Sequence, residues 1–160
     1  MHHTIRTTSF AAALALMAQP GISGTEAPIL TLTGNLPDGP VTLSRNDLKD
    51  LPQHEIRTST TVTDGTPLFE GFLMRDLLDE IGAEGSTITA RALNDYLMEI
   101  PREDFETYDV IGALYMDGEE LTARDKGPVW IVYPRDDHTD LQDIRYDTRW
   151  VWQLVEIHIE

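Results

Sequence analysis

The chain has 160 residues, a formal net charge of −16 and no cysteine. So acidic a surface repels phosphate backbones and anionic headgroups, which argues against nucleic-acid binding and peripheral membrane binding. The absence of cysteine excludes disulfides, thiolate nucleophiles and zinc–thiolate sites. The length suits one domain with its own core.

The first residues have the pattern of a secretory signal peptide. Arg6 precedes a small-residue apolar run over 9–18, and a breaker-rich segment follows over 19–25. A membrane-spanning helix needs about 20 apolar residues, more than this run provides. We therefore expect a signal peptide over about 1–24, cleaved between Ala15 and Pro28, and a periplasmic product that is not inserted in the membrane.

Short strands and two short helices account for the rest of the chain. The predicted elements are strands over 29–34 and 41–43, a helix over 45–51 capped by Ser44, a strand over 54–62, a helix over 71–82, and strands over 87–93, 110–116, 129–133 and 152–159. Asp117 and Gly118 form a hairpin-like turn. The pattern predicts one α+β domain over 28–160, mainly β with short helices.

Motifs of common hydrolases and metalloenzymes are missing from the sequence. It contains no HExxH, no GxSxG and no glycine-rich phosphate loop before a helix. Asp136, Asp137, His138 and Asp140 form one cluster that would suit a hard cation. An acidic loop in an acidic protein is more often solvated surface, and we interpret the cluster that way.

Asn94, Asp95 and Tyr96 directly follow a predicted buried strand. An amide, a carboxylate and a ring placed together can read the edge of a flat heterocycle and stack beneath it. Asn and Asp are also typical of plain turns, and composition alone favours that interpretation about two to one.

A second group of aromatic and basic residues leads into the final strand. Trp150 and Trp152 share one face if the segment is a strand, where they form either core or a stacking wall. At least one of them is expected in the core. Arg149, beside these rings, is a candidate stacked cation or a donor to a ligand acceptor.

Six motifs in order resemble the sulfite-oxidase-type molybdopterin-binding domain. They are Phe69–Leu78, Asn94–Tyr96, Ile100–Pro101, Met116–Leu121, Lys126–Pro134 and Trp152–Leu154. The resemblance covers the chain from Leu30 to Ile159, and it implies that fold.

The chain departs from this family at the metal ligand. The family's oxidases hold molybdenum through a cysteine on the segment before the first of these motifs. Here that segment is 57–63, which is rich in threonine, and no soft ligand is available. The phosphate of the family's molybdopterin cofactor would also find few basic residues to bind it. We therefore expect no molybdenum.

The chain is more similar to the small periplasmic pterin-binding proteins of the PruR type. That resemblance implies a sensor that binds a free reduced, tetrahydropterin-like pterin. It also implies a partner, the periplasmic domain of a membrane signalling protein that makes or degrades cyclic di-GMP, with an effect on biofilm formation.

A pterin site needs a carboxylate for the donor edge, an amide or arginine for the carbonyl, and aromatic faces for the ring. The predicted ligand-binding residues are Asn94, Asp95, Tyr96, Arg149, Trp150, Trp152, Thr60 and Thr61. For Thr60 and Thr61, strand packing is an equally good interpretation. None of these residues is assigned a catalytic role.

Two other functions stay open at this point. One is a molybdopterin-dependent oxidoreductase with an unusual, non-cysteine metal ligand. The other is an interaction domain with a vestigial pocket. The missing cysteine and the scarcity of basic residues favour a binding protein over an enzyme.

Export is directly testable. We expect the periplasmic fraction of the native host to contain the protein without about its first 15 to 27 residues, because the amino-terminal pattern directs secretion and cleavage. Intact-mass measurement of the purified protein checks this. Recovery of the full-length chain from the cytoplasm would contradict it.

Overall fold

The computed structural model describes residues 26–160. The signal peptide predicted over residues 1–24 lies outside the described residues. Within 26–160, no helix combines the length and the apolar character needed to cross a membrane.

Strands dominate the described part of the chain, as the sequence predicts. Within residues 26–160 the ten strands are β1 (Pro28–Gly34), β2 (Val41–Ser44), β3 (Gln53–Arg57), β4 (Leu68–Leu73), β5 (Thr87–Ala92), β6 (Leu97–Pro101), β7 (Ile111–Met116), β8 (Glu119–Glu120), β9 (Trp130–Val132) and β10 (Leu154–Ile159). The α-helices in the same range are α1 (Arg45–Asp50), α2 (Met74–Glu80), α3 (Arg102–Thr107) and α4 (Ile144–Asp147), and a 3-10 turn covers Thr139–Gln142.

Two sheets organise these strands. The first has the order β2-β1-β10-β5-β6, with β1 and β10 parallel and the other pairs antiparallel. The second has the order β3-β4-β7-β8, and β9 also pairs with β7. One contiguous cluster of buried side chains includes Leu32 and Ile157 from the first sheet and Phe69 and Trp130 from the second. The sheets therefore share a single hydrophobic core.

The predicted helix over 71–82 begins later than expected. Residues 71–73 complete β4, and α2 starts at Met74. Gly71 pairs with Ala113 and Phe72 with Gly112 across β4 and β7. A Cβ atom on Gly71 would overlap the Gly112 carbonyl, so this close crossing needs glycine. Sheet pairing overrides the helical spacing here.

The helix cap and the hairpin turn predicted from the sequence are both present in the structure. Ser44 caps α1 in a capping box with Asp47, as predicted from its position. Asp117 and Gly118 both have positive φ between β7 and β8, which is the geometry of a tight hairpin turn. The strand predicted over 54–62 ends at Arg57 instead, and a loop follows.

Candidate ligand-binding site

A pocket of about 230 Å³ lies between the β5–β6 turn and the segment that precedes β10. Its lining residues are Ala92, Asn94, Tyr96, Asp147, Thr148, Trp150, Val151 and Trp152. Four of the eight residues predicted as ligand-binding are therefore brought together, although they belong to two distant parts of the sequence.

The β5–β6 turn holds Tyr96 in place. Asp95 adopts a positive φ of 62°, and the side-chain oxygen of Asn94 accepts a hydrogen bond from the Tyr96 backbone N–H at 3.2 Å. The Tyr96 hydroxyl donates to the backbone carbonyl of Thr148 at 3.0 Å. This bond connects the two walls of the pocket, so the ring of Tyr96 forms a fixed side of it.

The two tryptophans occupy different depths. Trp150 is only 6% exposed, and its ring centroid lies 6.1 Å from that of Tyr133 and 6.4 Å from that of Trp130. Trp152 is 39% exposed and meets Trp130 edge-on at 6.5 Å between centroids. Trp150 therefore packs into the core while lining the pocket, and Trp152 stands at the pocket's mouth.

The strand expected over 152–159 begins only at Leu154. Gln153 has a φ of 53°, a left-handed conformation that interrupts the extended backbone. Its side-chain amide donates to the carbonyls of Ala123 and Asp125, both at 2.9 Å, which stabilise the break. The two tryptophans thus do not share a strand face, and irregular backbone brings both to the pocket.

Arg149 lies behind the pocket and does not line it. Its Nη1 atom donates to the carboxylate of Asp104 at 2.5 Å, and its guanidinium carbon lies 4.8 Å from the Tyr146 ring centroid. Asp104 also accepts a hydrogen bond from the Tyr133 hydroxyl at 2.8 Å. Arg149, which the sequence predicted as a ligand-binding residue, therefore belongs to a hydrogen-bond network with Asp104 and Tyr133 and not to the pocket lining.

The pKa values of Arg149 and Tyr133 are both shifted by their surroundings in this network. Burial lowers the pKa of the Arg149 guanidinium, but the hydrogen bond to Asp104, the charge of Asp104 and the nearby Tyr133 and Tyr146 together raise it by more, so the net shift is upward. Burial, followed by the charge of Asp104, raises the pKa of Tyr133 well above its usual value. Tyr133 is therefore a neutral donor and Arg149 a permanent cation at physiological pH.

Asp95, Thr60 and Thr61 lie outside the pocket lining. The Asp95 side chain is 87% exposed and approaches Arg91 at 3.4 Å. The Thr60 hydroxyl lies 2.7 Å from that of Thr63, and Thr61 is exposed on the same loop. The structure places the predicted carboxylate in solvent and the predicted threonines in a separate loop.

Sequence reasoning did not select Asp147, which lines the pocket. Its Oδ1 atom is buried and accepts no hydrogen bond within residues 26–160. It forms a salt bridge with Nε of Arg135, 3.8 Å away, which is also buried and makes no hydrogen bond within the same residues. A signal was present, since Asp147 lies three positions before Trp150, but nothing in the sequence ranked it above Asp95.

The acidic cluster considered as a cation site makes other contacts. Asp136 accepts hydrogen bonds from the backbone and hydroxyl of Ser59, which lower its pKa. Asp140 accepts from the Tyr108 hydroxyl at 2.8 Å, which lowers its pKa as well. In the described range, no group of three or more His, Cys, Asp or Glu side chains is placed to hold a metal ion.

Comparison with solved structures shows a similar fold. The sulfane dehydrogenase SoxCD from Paracoccus pantotrophus superposes with a TM-score of 0.62 at 18% sequence identity, over 81% of this chain and 37% of that chain. This protein thus spans well under half the length of its structural neighbour. The expected α+β fold, mainly β with short helices, is confirmed, and it is similar to the fold of this neighbour. No family model and no curated protein matches the chain.

The contacts of Arg149 predict a structural role. Arg149→Ala leaves the buried Asp104 carboxylate without its cation, so we expect the free energy of unfolding to fall by about 3 kcal/mol. That figure is the lower end of the range for buried pairs, because part of the Arg149 side chain is exposed. Urea denaturation monitored by circular dichroism measures the change.

Arg145→Ala is the matched control in the same segment. Its side chain is 77% exposed and pairs with Asp143 on the surface, so its loss should leave the denaturation midpoint close to the wild-type value. Equal midpoints for the Arg149 and Arg145 variants would show that the buried pair does not stabilise the fold.

Proposed function

We propose that this protein is an exported binding protein for a free pterin or a similarly flat, uncharged heterocycle. The observation that carries the proposal is the composition of the pocket. Two tryptophans, Trp150 and Trp152, and Tyr96 supply aromatic surface, while Asn94 and Asp147 supply polar groups. Among the described residues, no lysine or arginine lines it.

The size of the pocket favours a small ligand. Its volume of about 230 Å³ is below the range of about 300–1,000 Å³ typical of sites for drug-sized molecules. A pterin is bicyclic and flat, with N–H donors on one edge beside a carbonyl. Aromatic walls suit its faces, and the few polar groups of the lining suit its edge.

The residues present do not suit a molybdenum cofactor. The loop that corresponds to the family's cysteine segment has no sulfur ligand. Four of its five hydroxyls already have hydrogen-bond partners: Thr58 donates to the Ser59 carbonyl at 3.3 Å, Ser59 donates to Asp136 at 2.6 Å, and Thr60 pairs with Thr63 at 2.7 Å. The cofactor's phosphate would also meet Asp147 without a lining cation. We therefore infer a role without molybdenum and prefer binding to oxidoreductase activity.

Ligand titration tests the proposal. A pterin stacked in the pocket should quench tryptophan fluorescence, because Trp150 and Trp152 line the pocket and Trp130 contacts both rings. We expect saturable quenching by tetrahydropterin and weaker quenching by a phosphorylated pterin, which brings negative charge to an acidic site. Isothermal titration calorimetry gives the affinities.

Thr61→Ala is the control, since Thr61 is exposed on a loop outside the pocket lining and its variant should bind as wild type does. Absence of quenching by any pterin at millimolar concentration would refute the binding proposal. Stoichiometric molybdenum in protein purified from its native host would instead support the oxidoreductase.

We further propose that the protein reports pterin occupancy to the periplasmic domain of a membrane protein that makes or degrades cyclic di-GMP. This rests on the resemblance to pterin-binding proteins of the PruR type. The net charge of −16 favours a basic docking surface on that partner.

Co-purification from native membranes tests this partnership. We expect capture of a cyclic di-GMP enzyme at low salt, with less captured as salt rises, because screening weakens attraction between exposed charges. Deletion of the gene should also change cyclic di-GMP levels. Unchanged levels and biofilm formation after deletion would contradict the signalling role while leaving pterin binding intact.

A further inference from the structure

Large apolar side chains gather on the surface beside the pocket. Six such side chains are exposed in the described range, and four of them lie here: Leu93 at 48%, Tyr96 at 40%, Leu97 at 59% and Trp152 at 39%. Single exposed apolar residues are normal on a soluble protein, whereas a contiguous group is typical of a docking surface. These four residues are called the apolar patch below.

The patch is continuous although its members come from two parts of the chain. The Leu93 backbone N–H donates to the carbonyl of Gln153 at 2.9 Å, which places the β5–β6 turn beside Trp152. Tyr96 and Trp152 line the same pocket, and Leu97 directly follows Tyr96 as the first residue of β6. The patch therefore runs from the mouth of the pocket to the start of β6.

The strand β6 is the last in its sheet, and one of its sides has no neighbouring strand within residues 26–160. The Ala92 N–H donates to the Tyr96 carbonyl at 2.9 Å, and the register between β5 and β6 then runs without a shift. Hydrogen-bonded and non-bonded pairs alternate along antiparallel strands, so Leu97 and Glu99 occupy non-bonded positions. Their backbone N–H and C=O groups therefore point to the open side.

Charge determines which partner suits this open side. Residues 93–99 contain two charged side chains, Asp95 and Glu99, and both are exposed carboxylates. Arg91 approaches Asp95 at 3.4 Å but also bonds to Glu156 at 3.0 Å, so it is shared. Two copies of this chain paired along β6 would bring these carboxylates together, with a net charge of −16 on each chain. A basic segment avoids that repulsion and gains attraction instead.

The exposed side chains of β6 also set a spacing. Leu97 and Glu99 lie two positions apart on one face, and Ile100 is buried on the other. An added antiparallel strand would place an apolar side chain opposite Leu97 and a basic one opposite Glu99. Asp95, just before the strand, offers a second contact for a basic side chain.

We propose that the open side of β6, together with the apolar patch, docks an extended basic segment of a partner protein as an additional strand. The inference rests on the proposed partnership with a membrane signalling protein and locates its docking surface, and it requires no ligand in the pocket. Because Tyr96 and Trp152 belong to both the patch and the pocket lining, the docked segment lies against the wall of the ligand site.

A capped peptide, Thr-Lys-Thr-Val-Thr-Lys-Thr, tests the inference. Added antiparallel to β6, it places its valine opposite Leu97 and its first lysine opposite Glu99. In nuclear magnetic resonance titrations of the purified protein, we expect millimolar peptide to shift the Leu97 and Glu99 amide signals and to slow their hydrogen exchange. The same peptide with glutamate in place of lysine should not bind, because it repeats the charge of the surface.

Backbone methylation separates strand addition from simple attraction between charges. N-methylation of the valine and the first lysine removes the two donors directed at β6, so binding should weaken by about tenfold or more. N-methylation of the two threonines beside the valine is the matched control, since their N–H groups point away from β6. That peptide should bind as the unmodified one does.

Variants of the protein test the two side chains. Glu99→Lys replaces an attraction by a repulsion, so it should weaken the peptide by about threefold to tenfold. Glu55→Lys makes the same charge change on β3, an edge strand of the second sheet, and should bind as wild type does. Leu97→Asn should weaken binding, whereas Val62→Asn, at a 43% exposed position in the loop after β3, should not. Circular dichroism checks that each variant is folded.

Several results would overturn the docking strand: no shift at Leu97 or Glu99 in the wild type, equal affinities for the two methylated peptides, or equal effects of the two lysine substitutions. A dimer formed through the same amides without peptide would identify a second copy as the occupant and would also overturn it. Quenching by pterin without peptide binding leaves the ligand-binding function intact, and peptide binding without quenching leaves the docking strand intact.

Discussion

The buried carboxylate of Asp104 connects the elements that create the pocket. It lies on α3 and accepts hydrogen bonds from Tyr133, the residue after β9, and from Arg149, just before the pocket-lining tryptophans. Residues 148–153 lie between α4 and β10 without regular secondary structure. This side-chain network attaches them to the core, together with the buried Trp150 ring and the Val151 carbonyl, which accepts a hydrogen bond from the Ile131 backbone N–H at 2.9 Å.

Burial makes that network stronger and also more costly to break. Asp104 is only 7% exposed, so its charge has lost most of its contact with water. Removing Arg149 leaves that charge uncompensated, which destabilises more than the intact pair stabilises. Tyr133 remains protonated because burial and the neighbouring carboxylate raise its pKa. Two donors of fixed protonation therefore hold one acceptor over the physiological pH range.

The sequence predicted the fold better than the details of the site. Alternating apolar residues identified most strands, and the capping box at Ser44 located α1, since both signals are local. Sheet pairing is not local, so β4 was missed and its last three residues were assigned to a helix. The helix over Arg102–Thr107 was missed as well.

The difference between local and non-local signals also explains which residues of the candidate site were predicted. Asn94, Tyr96, Trp150 and Trp152 were found because strand ends and aromatic clusters are visible in sequence. The choice between carboxylates depends on three-dimensional facts. A positive φ turns Asp95 outward into solvent, whereas α4 and Arg135 place Asp147 at the pocket. The composition of residues 94–95 favours a turn but does not give the direction of the Asp95 side chain, and the spacing of Asp147 from Trp150 does not rank it above Asp95.

Charge as well as shape bears on what the pocket could bind. Asp147 lines it, no lysine or arginine among the described residues does, and the chain carries a formal net charge of −16. Both the local carboxylate and the long-range field disfavour an anion at this place. This is the physical reason for proposing an uncharged heterocycle as the ligand, because a phosphate-bearing cofactor would bring further negative charge to an acidic site.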